Sequence, residues 1–229
     1  MRHLAGVCAA VAGACLHAPD AVAGAWAEAR GETLEIDTIS REVGDFGETW
    51  RAESFFEHGF GGGWGGHFKA ENQIRLSDLY DDRFAFEAGL KRAFALGERS
   101  AFSVQASYLG GEALDGPECT SDGYEVRAAL GGSREFLGRE AFVNVETAER
   151  RRNDDCRRVV TEVAAGIELV GEWRGIAKAW TQTGGGRTTK YEINLMRDFG
   201  GSSLGIGYRR EVSGLFDEEG VLLSWWRRY

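Results

Sequence analysis

Apolar and polar residues alternate with a period of two along almost the whole chain, and this pattern leaves few folds open. From Trp64 the even positions read Trp64, Gly66, Phe68, Ala70, Asn72 and Ile74, against Gly65, His67, Lys69, Glu71 and Gln73. Phe84, Phe86, Ala88 and Leu90 alternate with Arg83, Glu87 and Lys91. Tyr124, Val126, Ala128 and Leu130 alternate with Glu125 and Arg127, and Tyr191, Ile193 and Leu195 with Lys190, Glu192 and Asn194. Successive side chains of a strand point to opposite faces, whereas one face of a helix recurs every three to four residues, so these segments are predicted strands. Proline supports the assignment by its scarcity. It cannot donate to a sheet ladder, and Pro117 is the only proline after residue 23.

Twelve segments fit the pattern: 32–41, 49–59, 63–75, 82–94, 99–110, 122–133, 138–149, 157–170, 172–183, 187–198, 201–211 and 219–229. Glycine runs such as Gly61-Gly62-Gly63, Gly184-Gly185-Gly186 and Gly200-Gly201 fall between them and read as turns. A strand tilted across a bilayer needs about 9–11 residues, and each segment is long enough. No composition break divides the chain.

The N-terminus points to export. Arg2 and His3 precede an apolar run from Leu4 to Leu16, Pro19 interrupts it, and Ala21-Val22-Ala23 supplies small residues for cleavage. Residues 1–23 therefore read as a signal peptide and 24–229 as the mature domain. Nucleic acid is excluded as a partner by a net charge of −9 and a pI near 5.1. No apolar run reaches the roughly 18–20 residues of a membrane-spanning helix. A soluble periplasmic β-barrel and a membrane barrel remain, differing in which face of each strand meets the core. The apolar faces are rich in alanine and glycine, which fill a dry core poorly. The alternate faces carry almost no bulky apolar residue.

The last strand separates the two. Val221, Leu223, Trp225 and Tyr229 share one face, and the chain ends on the aromatic ring of Tyr229. In this the sequence resembles bacterial outer-membrane β-barrel proteins of the porin-like type. The resemblance implies an all-β fold, a single antiparallel up-and-down transmembrane β-barrel of about 12 strands, in the outer membrane of a Gram-negative cell. It also implies that the barrel-assembly machinery reads the C-terminal strand, with Tyr229 as the assembly signal. Arg227 stands where the family has an apolar residue, and its guanidinium can snorkel to the periplasmic interface.

With both termini periplasmic, the connections after strands 5 and 7 face outward. They carry Cys119 and Cys156, the only cysteines after residue 23. An oxidising compartment permits a disulfide between them, the alternative being two unrelated thiols. Phe84, Phe86, Tyr124, Val126, Tyr191, Ile193, Leu223 and Trp225 are expected to face lipid. Glu53, Lys69, Glu71, Arg83, Glu87, Arg127, Glu146, Glu162, Lys190 and Glu192 are expected to line the lumen. Glu35, Asp37, Arg51, Glu57, Lys91, Glu125, Glu168, Arg174, Lys178, Arg209 and Glu211 join them on the same register. Acids outnumber bases on this wall, which predicts a weak cation preference. The stretch holding Arg150, Arg151, Arg152, Asp154, Asp155, Arg157 and Arg158 reads as a solvated loop.

Chemistry is sparse. Only His58 and His67 follow residue 23, with no serine beside either, and no helix opens after a glycine loop to cradle phosphate. No catalytic residue, metal site or cofactor is predicted. Twelve strands at about 40° tilt enclose a backbone diameter of roughly 24 Å, leaving a gap on the order of 10 Å between side chains. The expected activity is passive passage of small hydrophilic solutes through a narrow channel. The alternatives are a structural or surface-interaction barrel without a pore, and a lipid-modifying outer-membrane enzyme.

Overall fold

The computed structural model describes residues 24–45, 47–76, 82–112, 119, 122–153, 155–184, 187–213 and 217–229. The signal peptide expected over 1–23 lies outside the described residues.

Twelve strands are present: β1 (Thr33–Gly44), β2 (Gly47–Gly61), β3 (Trp64–Arg75), β4 (Arg83–Ala95), β5 (Ser100–Gly111), β6 (Gly123–Phe136), β7 (Arg139–Arg152), β8 (Arg157–Glu168), β9 (Trp173–Thr183), β10 (Thr188–Asp198), β11 (Ser202–Ser213) and β12 (Asp217–Arg228). Each pairs antiparallel with its sequence neighbours, and β1 pairs with β12 from Leu34↔Arg228 to Gly44↔Glu218, closing an all-β up-and-down barrel. Closure leaves no unpaired sheet edge.

The strands form where alternation and turn chemistry agree. Between β2 and β3 the chain reverses through Gly61, Gly62 and Gly63, all at positive φ, where a side chain would be strained. A Cβ on Gly63 would also meet the Ala93 carbonyl at 2.4 Å. The chain termini, with the turns after β2, β4, β6, β8 and β10, define one end of the barrel. The opposite end carries connections of two to eleven residues. There Cys119 and Cys156 are joined through their sulfurs, with Cα atoms 5.7 Å apart, tying the β5–β6 connection to the β7–β8 connection.

The barrel is apolar outside. Phe84, Tyr124, Val126, Tyr191, Ile193, Leu223 and Trp225 all stand exposed on the outer face, Ile193 at 65%. Phe86 shares that face, where its ring neighbours Phe68, Phe84 and Tyr108. The largest buried group inside is Phe142, Ile176, Met196 and Trp226, with Ile36 packed against it. This corrects the expectation that the inner face lacks bulky apolar residues. All five lie near the end that carries the termini, where the sequence holds adjacent apolar pairs such as Phe142-Val143 and Trp225-Trp226 that supply both faces at once.

Candidate functional site: the barrel lumen

A barrel offers its interior the side chains that strand parity turns inward: even residues on β1, β7 to β10 and β12, odd residues on β2 to β6 and β11. Glu53, Lys69, Glu71, Arg83, Glu87, Arg127, Glu146, Glu162, Lys190 and Glu192 all occupy inward positions. Two ion-pair networks organise them.

The first spans β9–β12 and β1–β3. Arg209, from β11, reaches Glu192 at 2.7 Å, Glu53 at 2.6 Å and Glu42 at 3.2 Å, so one guanidinium links β10, β1 and β2. Arg51 bonds Glu42 at 3.2 Å and lies 3.5 Å from Glu71. Lys190 pairs with Glu211 at 2.8 Å and Lys178 with Glu192 at 3.3 Å. Lys69 bridges Glu53 and Glu71. The second network lies across β6 and β7, where Arg127 bonds Glu125 at 2.8 Å and Glu146 at 2.5 Å, and Arg150 bonds Glu125 at 2.5 Å. On the neighbouring strands the Trp180 indole donates to Glu162, and at the opposite end Arg83 stands 3.8 Å from Glu112.

Three assignments change. Glu35 and Asp37 face outward. Glu35 pairs with Arg227, and Asp37 accepts from the Ser54 hydroxyl at 2.6 Å. Their apolar neighbours Leu34 and Ile36 turn inward, which reverses the register read from the sequence. The arginine-rich stretch is strand rather than loop up to Arg152 and again from Arg157. Arg150, Arg152 and Arg158 therefore face the lumen, while Arg151 and Arg157 share Glu149 outside. With those arginines added and the two carboxylates removed, inward acids and bases come close to balance, which removes the ground for a cation preference. Glu42 and Glu218, both buried inside, were also missed. Continuing the alternation to the start of β12 would have found Glu218, whereas Glu42 follows only once the β1 register is reversed.

Folding brings a serine and a carboxylate to His67. Its Nε2 lies 3.1 Å from Glu87 Oε1 and 3.2 Å from Ser107 Oγ, and Ser107 donates to Glu87 at 2.8 Å. A nucleophile–base–acid relay needs serine and acid on opposite ring nitrogens. Here both crowd Nε2, and among the described residues Nδ1 is buried without a partner, so the cluster is not arranged as a relay. His58 faces outward and bonds Thr33 Oγ1 at 2.9 Å.

The segment before β1 enters the barrel. The Ala25 amide donates to Asn144 Oδ1 at 3.1 Å, and Lys91 Nζ donates to the carbonyls of Gly24 (3.2 Å) and Trp26 (2.6 Å) while pairing with Glu57 at 2.5 Å. Ala25 is fully buried and packs with Ala101, Ala129 and Trp26. Gly131 makes room for this segment, because a Cβ there would stand 2.3 Å from the Trp26 ring. Residues 24–26 therefore lie on the β4–β7 wall at the end that carries the termini. The Phe142–Trp226 cluster continues at that same end from β7 through β9 and β10 to β12 and β1, so the two together crowd this mouth.

Two cavities of about 160 and 200 Å3 remain in the lumen. Their linings share Glu53, Lys69, Glu87, Arg150, Trp180 and Arg209, and the larger one reaches Gly24.

An apolar exterior, a charged interior and twelve strands closed without an edge define the architecture of outer-membrane barrels. Solved structures agree on the fold. A KdgM porin aligns over 82% of this chain and 97% of its own, at 8% identity and a TM-score of 0.55. An outer membrane channel from Pseudomonas putida F1 aligns over 91% and 99%, at 8% identity and 0.57. The β domain of the Bordetella autotransporter BrkA aligns over 86% and 98%, at 12% identity and 0.52. At such identities the likeness is one of fold. No family model matches the sequence, and comparison with curated proteins finds no match.

Proposed function

We propose that this chain is an exported outer-membrane barrel, mature from Gly24, that forms a narrow passive channel for small hydrophilic solutes. The observation that carries the reading is the lumen itself. Two cavities share a wall of acids and bases, and among the described residues two buried polar atoms of their lining residues, Arg51 Nε and Glu57 Oε1, have no hydrogen-bond partner. Unpaired buried polar atoms are costly unless water reaches them, so a hydrated interior is the stable one. Outward Phe84, Phe86, Tyr124, Val126, Tyr191, Ile193, Leu223 and Trp225 meet lipid, and Tyr229 closes the outward row of the strand that the barrel-assembly machinery would read. Solved structures of the same fold that are described as porins and channels support the reading.

A barrel without a pore is the competing reading, favoured by the mouth that residues 24–26 and the Phe142–Trp226 cluster crowd together. Planar-bilayer recording of the refolded mature protein separates the two. A channel gives stable ohmic steps, larger when residues 24–28 are deleted. A folded, inserted barrel silent with and without those residues overturns the channel.

A further inference from the structure

The outer face differs at its two ends in how its arginines are held. At the end away from the termini they sit against carboxylates: Arg41 on Glu48 at 2.7 Å, Arg210 on Asp217 at 2.6 Å, and Arg151 and Arg157 both on Glu149. At the end that carries the termini three of them sit on aromatic rings. Arg92 lies 5.1 Å from the Trp64 centroid and 5.3 Å from Phe94. Arg197 lies 5.7 Å from Trp173 and 5.2 Å from Phe199, and Arg227 4.9 Å from Trp225 and 5.1 Å from Tyr229.

The repeat is written in the sequence. Every even-numbered strand descends to this end, and five of the six finish with an outward basic residue followed two positions later by an outward aromatic: His58/Phe60, Arg92/Phe94, Arg134/Phe136, Arg197/Phe199 and Arg227/Tyr229. β8 alone departs, with Ile167 and Leu169. A spacing of two keeps both side chains on one face of the strand. The strand pairing then sets a second ring beside the cation in two of them, since Arg92 opposes Trp64 and Arg197 opposes Trp173. Glu35 answers Arg227 and Glu172 approaches Arg197 at 3.6 Å. Among the described residues Arg92 and Arg134 have no carboxylate within ion-pair distance. Arg92 donates instead to the Gly62 carbonyl.

We infer that this collar is a headgroup site for anionic phospholipid in the adjoining leaflet. A guanidinium stacked on a ring, as Arg92 is, can offer a phosphate the N–H groups not given to Gly62, through two parallel hydrogen bonds, while the ring anchors at the hydrocarbon boundary. Charge complementarity selects an anionic over a zwitterionic headgroup, and the collar has few acids to answer its cations. The inference rests on the membrane reading above.

Tryptophan quenching by brominated lipids tests both separately. Refolded mature barrel is placed in phosphatidylcholine bilayers containing graded brominated phosphatidylglycerol, with brominated phosphatidylcholine as reference. Quenching by either lipid reports insertion, and its absence sinks the membrane reading. With insertion established, the collar should favour phosphatidylglycerol about fivefold, the size of one basic residue near an anionic surface. The double variant R92Q/R134Q should bring that ratio to unity. R92K/R134K should restore part of it, and R41Q at the opposite end should leave it unchanged. Millimolar inorganic phosphate should not compete, and competition would identify a free-anion site instead. A wild-type ratio of one, or a preference that survives R92Q/R134Q, overturns the inference. If that double variant fails to refold, R134Q alone carries the test.

Discussion

At the scale of single residues, the barrel interior is held by charges whose removal is asymmetric. Arg209 faces three carboxylates from three strands, and its side chain is only 6% exposed. Replacing it by methionine leaves Glu42, Glu53 and Glu192 without their shared partner, and breaking a buried pair from one side costs about 3–5 kcal/mol. Urea unfolding of the refolded barrel should show a loss in the lower part of that range, since cavity water screens part of the charge. A comparable loss is unexpected for Arg210→Met, because an exposed pair such as Arg210–Asp217 contributes at most about 1 kcal/mol. Gly89 gives a steric counterpart. A Cβ there would meet the Ala106 carbonyl at 2.4 Å, His67 Cε1 at 2.5 Å and Ser107 Oγ at 2.7 Å. Gly89→Ala should therefore cost about 1–3 kcal/mol and displace His67, visible as a shifted imidazole resonance.

Among the elements, two act across the strands rather than within them. The Cys119–Cys156 bridge closes a loop of 37 residues between outward connections. Restricting the unfolded chain to that extent is worth about 3–4 kcal/mol, while the strands it ties are already hydrogen-bonded. A Cys119→Ser/Cys156→Ser variant should fold to the same barrel, with unchanged far-UV dichroism and a lower urea midpoint. An unchanged midpoint would show that the bridge adds nothing. Residues 24–28 are the second such element. They contact the wall through Asn144, Lys91 and Ser103, and Glu28 reaches Arg228. Their deletion should raise single-channel conductance while Lys91 keeps Glu57 as a partner, so the fold survives and the recording reads the mouth alone.

The whole molecule is an inverted protein, apolar outside and charged within, and its solvent decides what each face tolerates. Ile193, exposed on the outer face in the body of β10, should accept arginine badly in a bilayer, by about 2–4 kcal/mol at mid-depth. The same change at the inward neighbour Asn194 should cost less, because that position meets polar groups. Folding yield into vesicles and urea midpoints compare the two. A soluble barrel would order them the other way. Ion selectivity is also a property of the whole wall. With inward acids and bases near balance, the reversal potential in a salt gradient should stay close to zero, and neutralising Glu53 and Glu71 together should shift it toward anions.

The strand pattern was legible because a period of two is a local consequence of backbone geometry. Twelve segments, their parity and the glycine turns could each be read without knowing a neighbour, and Phe84, Tyr124, Ile193 and Leu223 revealed their face by what stood beside them. The signal failed where both faces are charged, and where a strand inverts the rule that apolar residues face out. Leu34 and Ile36 look like an outer row and are an inner one, and Arg150 to Arg158 look like a loop and are two strand ends. What the sequence could not hold is everything set by closure. That Arg209 meets Glu53 across 156 residues, that Ser107 and Glu87 crowd one nitrogen of His67, and that Gly24 to Trp26 occupy one wall of the lumen are distances between strands. Alternation tells each strand which side is in. Only the closed barrel, through its register and stagger, decides which inward residues stand opposite one another, and therefore how much of the lumen is left open.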